Sequence, residues 1–254
     1  MVKAVREAMV HTRWTVPNID HENALVEFVA LILEDSPENH FLRDFEGFAR
    51  KIAHHGAFNS LSQLLVKIAS PGVADFYQGT ELWDLRLVDP DNRRIVDFAM
   101  RNALLATLCK DGPTLTELVD HWQDGRIKMY LTQKGLAFRR NHPTLVLRGD
   151  YLPLTAVGTK QDCVVAFARR YRGDWNIVIV PRFTTRLVDE TSSPLGAPVW
   201  GNTRVVLPQG APKAWLNVLD DENLDSSSEG GQNCLFVGDV LRQLPVGLLA
   251  RVRE

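Results

Sequence analysis

The sequence predicts an α+β fold, with helices in the first half of the chain and antiparallel strands in the second. Apolar residues recur at helical spacing up to about residue 143, and β-branched runs separated by turns fill the remainder. One short apolar run followed by a charged loop interrupts the helices near residue 75. We therefore divide the chain into residues 1–143 and residues 144–254, and we predict an antiparallel β-sandwich for the second part.

The first helices are predicted from their ends. Asp20 is placed to cap a helix that finishes near residue 35, and the helical period resumes at residue 41. Gly56 is predicted to end this second helix, so the His54-His55 pair would lie at a carboxyl end, where imidazolium complements the helix dipole. Ser60 and Gln63 have the spacing of a capping box and predict a third helix over residues 61–68.

A strand, a polar loop and a helix follow in that order. The turn signal Pro71-Gly72 precedes a predicted strand over residues 73–77, and helical spacing resumes between residues 96 and 108. This is the order of one unit of a (β/α)8 barrel, in which the chemistry lies on loops after the strands. The loop mixes carboxylates, guanidinium groups, amides and aromatic rings, a composition suited to polyhydroxylated ligands.

Two more helices are predicted before the strands begin. Thr114 and Glu117 form a second capping box, Gly125 ends that helix, and another begins at Ile127. Strands are predicted over residues 144–147, 151–157, 163–167, 175–180, 204–207, 214–218, 235–237 and 246–252. The polar stretch 225–232 is predicted as a hairpin tip.

Composition narrows the class of protein. The chain has 254 residues, 45% of them hydrophobic and 24% charged, with a net charge of -2, so nucleic acid and anionic membrane surfaces are not expected partners. Cys109, Cys163 and Cys234 are isolated, which predicts neither disulfides nor a zinc site. No export signal or apolar span is recognised, and a cytoplasmic protein without metal or cofactor is expected.

Several stretches resemble one enzyme family. PGVADFYQGTELWD, residues 71–84, is similar to the last-strand signature of the α-amylase clan. The longer run TELWDLRLVDPDNRR, with Val96-Asp97 after it, resembles the maltooligosyltrehalose synthase family, whose members isomerise the reducing-end α-1,4 bond of a maltooligosaccharide into an α,α-1,1 bond. KAVREAMVHTRW, NSLSQLL and DGRIK agree with it, so the resemblance covers residues 3 to about 150.

The resemblance implies a carboxy-terminal portion of such an enzyme, with residues 73–77 as its eighth barrel strand. The catalytic carboxylates of these retaining-type enzymes follow the fourth, fifth and seventh strands. None is therefore expected in this chain, which alone should be inactive. Its expected partners are the maltooligosaccharide substrate and the missing amino-terminal part of the same polypeptide.

Candidate substrate-binding residues lie on the loop after the predicted strand. They are polar or aromatic side chains that could bond hydroxyl groups or stack on a sugar ring: Gln78, Glu81, Trp83, Asp84, Asp91, Arg93 and Arg94. The alternative is an ion-pair network that fixes a long loop. For residues 89–94 a turn stabilised by its own Asp and Asn side chains is equally compatible with the pattern.

Two further alternatives stay open at this point. A stand-alone glucan-binding or scaffolding module would carry a ligand platform on Trp175, Trp200 and Trp215, for which burial in the β domain is the competing interpretation. His11 and Trp14 could likewise contact a sugar or simply pack between elements.

Overall fold

The structure is a computed structural model, and it describes residues 1–86, 93–110 and 112–252. The chain forms two compact units, the first made of residues 1–53 and 84–98 and the second of residues 54–83 and 99–254. The predicted α+β class is confirmed, while the division at residue 143 stays a prediction. No helix in the described ranges is long and apolar enough to cross a membrane.

The first unit contains α1 (Val2–Ala8), α2 (Ile19–Ile32) and the start of α3 (His40–Ala69). Asn18 caps α2, because its extended backbone lets its side chain accept a hydrogen bond from the His21 amide at 3.1 Å. Our assignment of Asp20 as the cap was wrong. Asp20 lies in the first turn of α2, where a carboxylate complements the dipole without capping the helix.

A buried carboxylate joins α1 to α2 within the first unit. Arg6 donates from Nε to Glu22 Oε1 at 2.8 Å and from Nη2 to Oε2 at 2.6 Å, and Thr12 donates its hydroxyl to the same carboxylate. Glu22 is only 4% exposed. These hydrogen bonds, the one from Arg6 above all, lower the pKa of Glu22 to about 2.

The α3 helix is continuous over 30 residues, so the predicted stop at Gly56 and the predicted capping box of Ser60 and Gln63 were both wrong. A glycine inside a helix costs about 1 kcal/mol relative to alanine. That cost is offset by a buried apolar stripe that continues past Gly56. Its largest members are Phe58, Leu61, Leu65 and Ile68.

His54 and His55 therefore lie inside α3 and not at its end, which corrects the predicted interaction with the helix dipole. Both side chains are buried. His54 Nε2 lies 2.9 Å from the Ser192 carbonyl oxygen, and His55 Nδ1 lies 3.2 Å from Thr184 Oγ1. The two imidazoles join the helix to loops of the β region.

Residues 73–77 form no strand, contrary to the prediction. A strand requires a neighbouring backbone, and neither sheet in the described residues includes this segment. Side chains hold the segment in place. Lys67 Nζ lies 3.9 Å from the centroid of the Phe76 ring, and Arg139 donates to the carbonyl groups of Ile68, at 2.6 Å, and of Gly72.

The helices that follow are α4 (Phe98–Lys110), α5 (Leu115–Asp120), α6 (Arg126–Asn141) and α7 (Pro143–Arg148). The capping box is confirmed: Thr114 Oγ1 accepts from the Glu117 amide at 3.2 Å, and Glu117 Oε2 accepts from the Thr114 amide at 2.7 Å. A 3-10 turn, Trp122–Asp124, then stops at Gly125 with φ 80°.

The strand predicted over residues 144–147 is wrong, since these residues belong to α7. Pro143 occupies the start of the helix, where its fixed φ is favourable and its missing amide hydrogen is not needed. Leu145 and Val146 are buried in the core. A run of three apolar residues, such as Leu145 to Leu147, fits a helical turn as well as a strand.

In the described residues, ten strands form two antiparallel sheets. They are β1 (Asp150–Pro153), β2 (Ala156–Val157), β3 (Val164–Tyr171), β4 (Asp174–Pro181), β5 (Arg204–Val206), β6 (Ala214–Asn217), β7 (Glu222–Asp225), β8 (Ser227–Glu229), β9 (Gln232–Phe236) and β10 (Gly247–Arg251). The larger sheet has the order β1-β3-β4-β10-β6-β7 and the smaller β2-β5-β9-β8. The short helices α8 (Gly196–Trp200) and α9 (Val237–Val240) lie in the connections.

Two strands, β7 and β8, were not predicted, and the run predicted over residues 151–157 is divided into β1 and β2. A hairpin does lie at the polar stretch, where β8 and β9 pair across Gly230 and Gly231. Both glycines have positive φ, 59° and 78°, which suits a two-residue turn.

Within the described part of the second unit, two apolar cores lie on opposite faces of the larger sheet. Successive side chains of β4 point to opposite faces of the sheet. Val178 and Val180 therefore lie in the core shared with the helices, and Ile177 and Ile179 lie in the core shared with the smaller sheet. Trp175, Trp200 and Trp215 belong to the second core and are 6%, 0% and 0% exposed. Burial is thus the interpretation that the structure supports for these tryptophans.

Among the described residues, Arg169 of β3 is the largest charged side chain in the interior, at 1% exposure. It donates to the carbonyl oxygens of Ala69 (3.2 Å), Val146 (2.9 Å), Gly149 (2.7 Å) and Asp150 (3.3 Å). Desolvation lowers the pKa of Arg169 from its usual value. One guanidinium group therefore satisfies carbonyls at the carboxyl ends of both α3 and α7.

Candidate functional site

The candidate residues of the second unit lie on residues 78–83, and Arg101 of α4 holds this loop. Arg101 donates from Nη2 to the Gly79 carbonyl and from Nε to Glu81 Oε2, each at 3.2 Å. Gly79 has φ 86°, a left-handed conformation that favours glycine. Glu81 is consequently oriented by an ion pair, and Gln78 beside it is exposed.

Trp83 is fixed by the turn between α5 and α6. Its Nε1 donates to the Trp122 carbonyl at 2.7 Å, and the two indole rings meet edge to face with centroids 6.3 Å apart. Lys128 Nζ lies 5.5 Å from the Trp83 ring and donates to the Leu82 carbonyl at 2.9 Å. These contacts define a positioning role for Trp83, and its stacking on a sugar stays a prediction.

Gly125 permits the close approach of this loop. A Cβ atom at Gly125 would lie 3.2 Å from Leu82 Cδ2 and 3.3 Å from the Trp83 backbone nitrogen, in addition to meeting the strain of φ 80°. A side chain at this position would therefore push the loop outward. Gly125 and Lys128 both fall in the DGRIK stretch that carries part of the family resemblance.

The other described candidates, Asp84, Arg93 and Arg94, lie in the first unit. Asp84 accepts two hydrogen bonds of 2.6 Å from Nε and Nη2 of Arg86, and its Oδ1 also lies 3.2 Å from the Arg86 amide. Arg93 and Arg94 are exposed. Asp91 lies outside the described residues, so the structure places six of the seven candidates.

The loop thus presents polar side chains whose positions are set by contacts with α4 and with the turn before α6. Glu81 accepts a hydrogen bond from the Arg101 guanidinium group, a charge-assisted contact that fixes the orientation of its side chain. An exposed amide and a fixed carboxylate are groups that bind hydroxyls of a neutral ligand. The ion pairs fit the network interpretation too, and both functions are compatible with the same contacts.

Sequence reasoning missed the residues that support the loop, namely Arg101, Trp122 and Lys128. Each comes from a helix or turn that is distant in sequence, and no local pattern marks such a contact. Only Lys128 had a signal, because it lies in a stretch that resembles the family.

Comparison with known proteins confirms that resemblance. The chain is 36% identical over 217 residues, 85% of its length, to a protein of Mycobacterium tuberculosis named as a maltooligosyl trehalose synthase. Its fold matches the maltooligosyltrehalose synthase of Arthrobacter ramosus with a TM-score of 0.75 and 28% identity over 98% of this chain. A second solved maltooligosyl trehalose synthase matches with a TM-score of 0.67, 29% identity and 99% coverage.

The matches cover only part of each relative. The chain spans 24% of the length of the curated relatives and 29% of the two solved structures. No family model matches the chain. The chain is therefore similar to a limited portion of maltooligosyltrehalose synthases, in sequence and in fold.

Proposed function

We propose that this chain is the carboxy-terminal part of a maltooligosyltrehalose synthase of the α-amylase clan, an enzyme of trehalose biosynthesis. The whole enzyme, a (1→4)-α-D-glucan 1-α-D-glucosylmutase, would convert the reducing-end α-1,4 bond of a maltooligosaccharide into an α,α-1,1 bond. The observation that carries the proposal is the combination of 85% coverage of this chain with 24% coverage of the relative. We place the protein in the cytoplasm.

Under this proposal the chain contributes one wall of the glucan cleft and none of the catalytic carboxylates. Residues 73–77 would be the eighth barrel strand and α4 the helix after it, with the two sheets forming a β-sandwich. The exposure of Val73, at 89%, leaves that segment accessible to a neighbouring strand. The loop held by Arg101 and Lys128 would then present Gln78 and Glu81 to sugar hydroxyls.

The rest of the same polypeptide is the proposed partner, and the apolar surface of the first unit supports this. Large apolar side chains of α2, of its carboxyl cap and of the first half of α3 are 45% to 63% exposed: Val26, Phe28, Leu31, Leu33, Phe41, Phe45, Phe48 and Ile52. Apolar side chains exposed in such number on two helices favour an interface with further polypeptide. If the chain is a portion of a larger enzyme, the rest of that enzyme would cover these side chains. In an independent module they would stay exposed to water.

A stand-alone glucan-binding module is the weaker candidate. It required an exposed aromatic platform, and the tryptophans that would have formed one are buried in the core of the β region. Nothing else in the described residues favours it over the synthase portion.

The experiment compares the 254-residue chain with the product of its complete reading frame, using maltopentaose as substrate. Since an α,α-1,1 bond joins two anomeric carbons, isomerisation removes reducing ends and hydrolysis creates them. We expect the longer product to remove reducing ends and the chain alone to do neither. Turnover by the chain alone, or a reading frame without the remainder of a barrel, would contradict the proposal.

A variant of the longer product tests the cleft. Glu81→Gln keeps the shape of the side chain and removes its charge, and we expect a fall in transfer rate of roughly tenfold, the scale of one polar substrate contact. Glu229→Gln, on the exposed β8 strand, is the control and should leave the rate unchanged. Equal rates for both variants would leave the loop with a structural role only.

A further inference from the structure

An open cavity of about 430 Å³ lies at one end of the larger sheet, within the second unit. Its lining residues are distant in sequence from the loop of residues 78–83. Its lining includes Arg172 and Gly173 from the turn between β3 and β4, Lys213 from the loop before β6, and Arg251 from the end of β10. Trp175 of β4 forms part of the wall. The volume falls within the usual range for small-molecule pockets.

Three cationic residues from three separate segments line this cavity, and the guanidinium carbon of Arg172 lies 5.4 Å from the centroid of the Tyr171 ring. Among the described lining residues there is no carboxylate. Asp174 of β4 and Asp225 of β7, the residue paired with Ala214, are not among the lining residues. Arg170, whose guanidinium carbon is 5.4 Å from the centroid of the Trp175 ring, forms an ion pair of 3.1 Å with Asp150. Like charges around one cavity repel, and a bound anion would reduce that repulsion.

The backbone at Arg172 is explained by the turn that it occupies. Arg172 has φ 54°, and with Gly173 it forms the two-residue turn between β3 and β4. Two-residue hairpin turns favour a positive φ at their first central residue. The turn therefore places Arg172 at the end of the hairpin, where it lines the cavity.

Arg251 is held in position for the same cavity. Its Nη1 donates to the Gly173 carbonyl at 2.7 Å, and a Cβ atom at residue 173 would lie 3.1 Å from that nitrogen. The missing side chain of Gly173 therefore makes room for the guanidinium group. Two arginines and one lysine can together supply forked donors to a tetrahedral oxyanion and balance its double charge.

We propose that this cavity binds a phosphate monoester of a sugar-sized molecule. The three cations select the phosphate group, and the volume beyond it, beside Trp175 and Pro212, accommodates the organic part. A neutral glucan would gain nothing from three cations, so this site is distinct in chemistry from the proposed glucan cleft. The site does not depend on the proposed function, because all of its residues lie in the β region of this chain.

Isothermal titration of the intact 254-residue chain with glucose 6-phosphate at low ionic strength tests the proposal. We expect saturable binding that weakens as salt is raised, tighter than binding of inorganic phosphate, and no heat from glucose. Glucose that binds as well as its phosphate would overturn the proposal. So would inorganic phosphate and sulfate binding as tightly as the ester, since the cavity would then hold only a bare anion.

Two variants and a control separate a binding role from a structural one. Arg172→Gly removes a cation and relieves the left-handed strain, so affinity should fall at least about tenfold without a lower Tm. Lys213→Gln should weaken binding in the same direction. Arg140→Gln, an exposed arginine of α6, is the matched control and should bind as the natural chain does. Unchanged affinity of Arg172→Gly, or a lower Tm with it, would contradict the assignment.

Discussion

Arg169→Met should be among the most destabilising single substitutions in the second unit. Methionine fills similar space but donates no hydrogen bonds, so the carbonyl groups of Ala69, Val146, Gly149 and Asp150 would lose their donor. A buried acceptor without a partner costs about 1–3 kcal/mol.

The magnitude follows from the four distances. The bonds to Val146 and Gly149, at 2.9 Å and 2.7 Å, count fully, whereas those of 3.2 Å to Ala69 and 3.3 Å to Asp150 are near the limit and count little. Removing a buried charge returns part of the loss, because its desolvation no longer opposes folding. We expect a net decrease in the free energy of unfolding of about 3 kcal/mol.

Urea unfolding, followed by fluorescence of the buried tryptophans, measures this change, and the m value should not change. Arg170→Met is the matched control, because Arg170 is the next residue of the same strand but its side chain is 42% exposed in its ion pair. That control should cost less than about 1 kcal/mol. Arg169→Lys should recover little, since one ammonium group cannot span the ends of two helices. Equal costs for the two methionine variants would refute the reasoning.

Three further predictions concern other contacts. Gly125→Ala should lower the free energy of unfolding by about 1–2 kcal/mol, because φ is 80° and the new Cβ meets the Trp83 backbone. Urea titration measures this change, and an unchanged stability would mean that the loop moves to accommodate the Cβ atom without cost. Trp83→Phe removes the donor to the Trp122 carbonyl and should cost about 1 kcal/mol in the same assay, whereas an unchanged midpoint would show that water replaces the indole. The pKa of Glu22 is lowered to about 2, so its stabilisation should be full above about pH 4.5 and be lost as the pH falls toward 2. Amide hydrogen exchange in α2, measured as a function of pH, would report that loss. The pH dependence should be weaker in Glu22→Gln, and an equally steep pH dependence in that variant would exclude Glu22 as its cause.

The sequence predicted those elements whose signals are local. The capping box of Thr114 and Glu117 and the stop at Gly125 were found because all their determinants lie within a few residues. Long β-branched runs predicted β3 and β4 for the same reason. The same capping-box motif failed at Ser60 and Gln63, because a buried apolar stripe outweighs a local end signal.

The candidate site was predictable only in its outline. The sequence indicated which loop is rich in polar and aromatic groups, and the structure places Gln78, Glu81 and Trp83 together on it. It could not indicate that Arg101 and Lys128 hold that loop, since such partners are set by the packing of α4 and α6. The anion cavity went unnoticed for the same reason, as its three cations are far apart in sequence.

The segment of residues 73–77 shows why a strand signal and a strand are different things. Its apolar composition is typical of a strand that is covered by neighbouring elements. Composition indicates the surroundings in which a segment is stable, and it does not show that those surroundings are present. A strand exists only where a second backbone supplies hydrogen bonds, and in the described residues none does so here. Arg139 and Lys67 instead hold the segment through side chains. One explanation then accounts for the exposed Val73 and for the exposed apolar side chains of α2 and α3. We infer that the chain is a portion of a larger enzyme, and these surfaces are suited to contact the rest of its polypeptide.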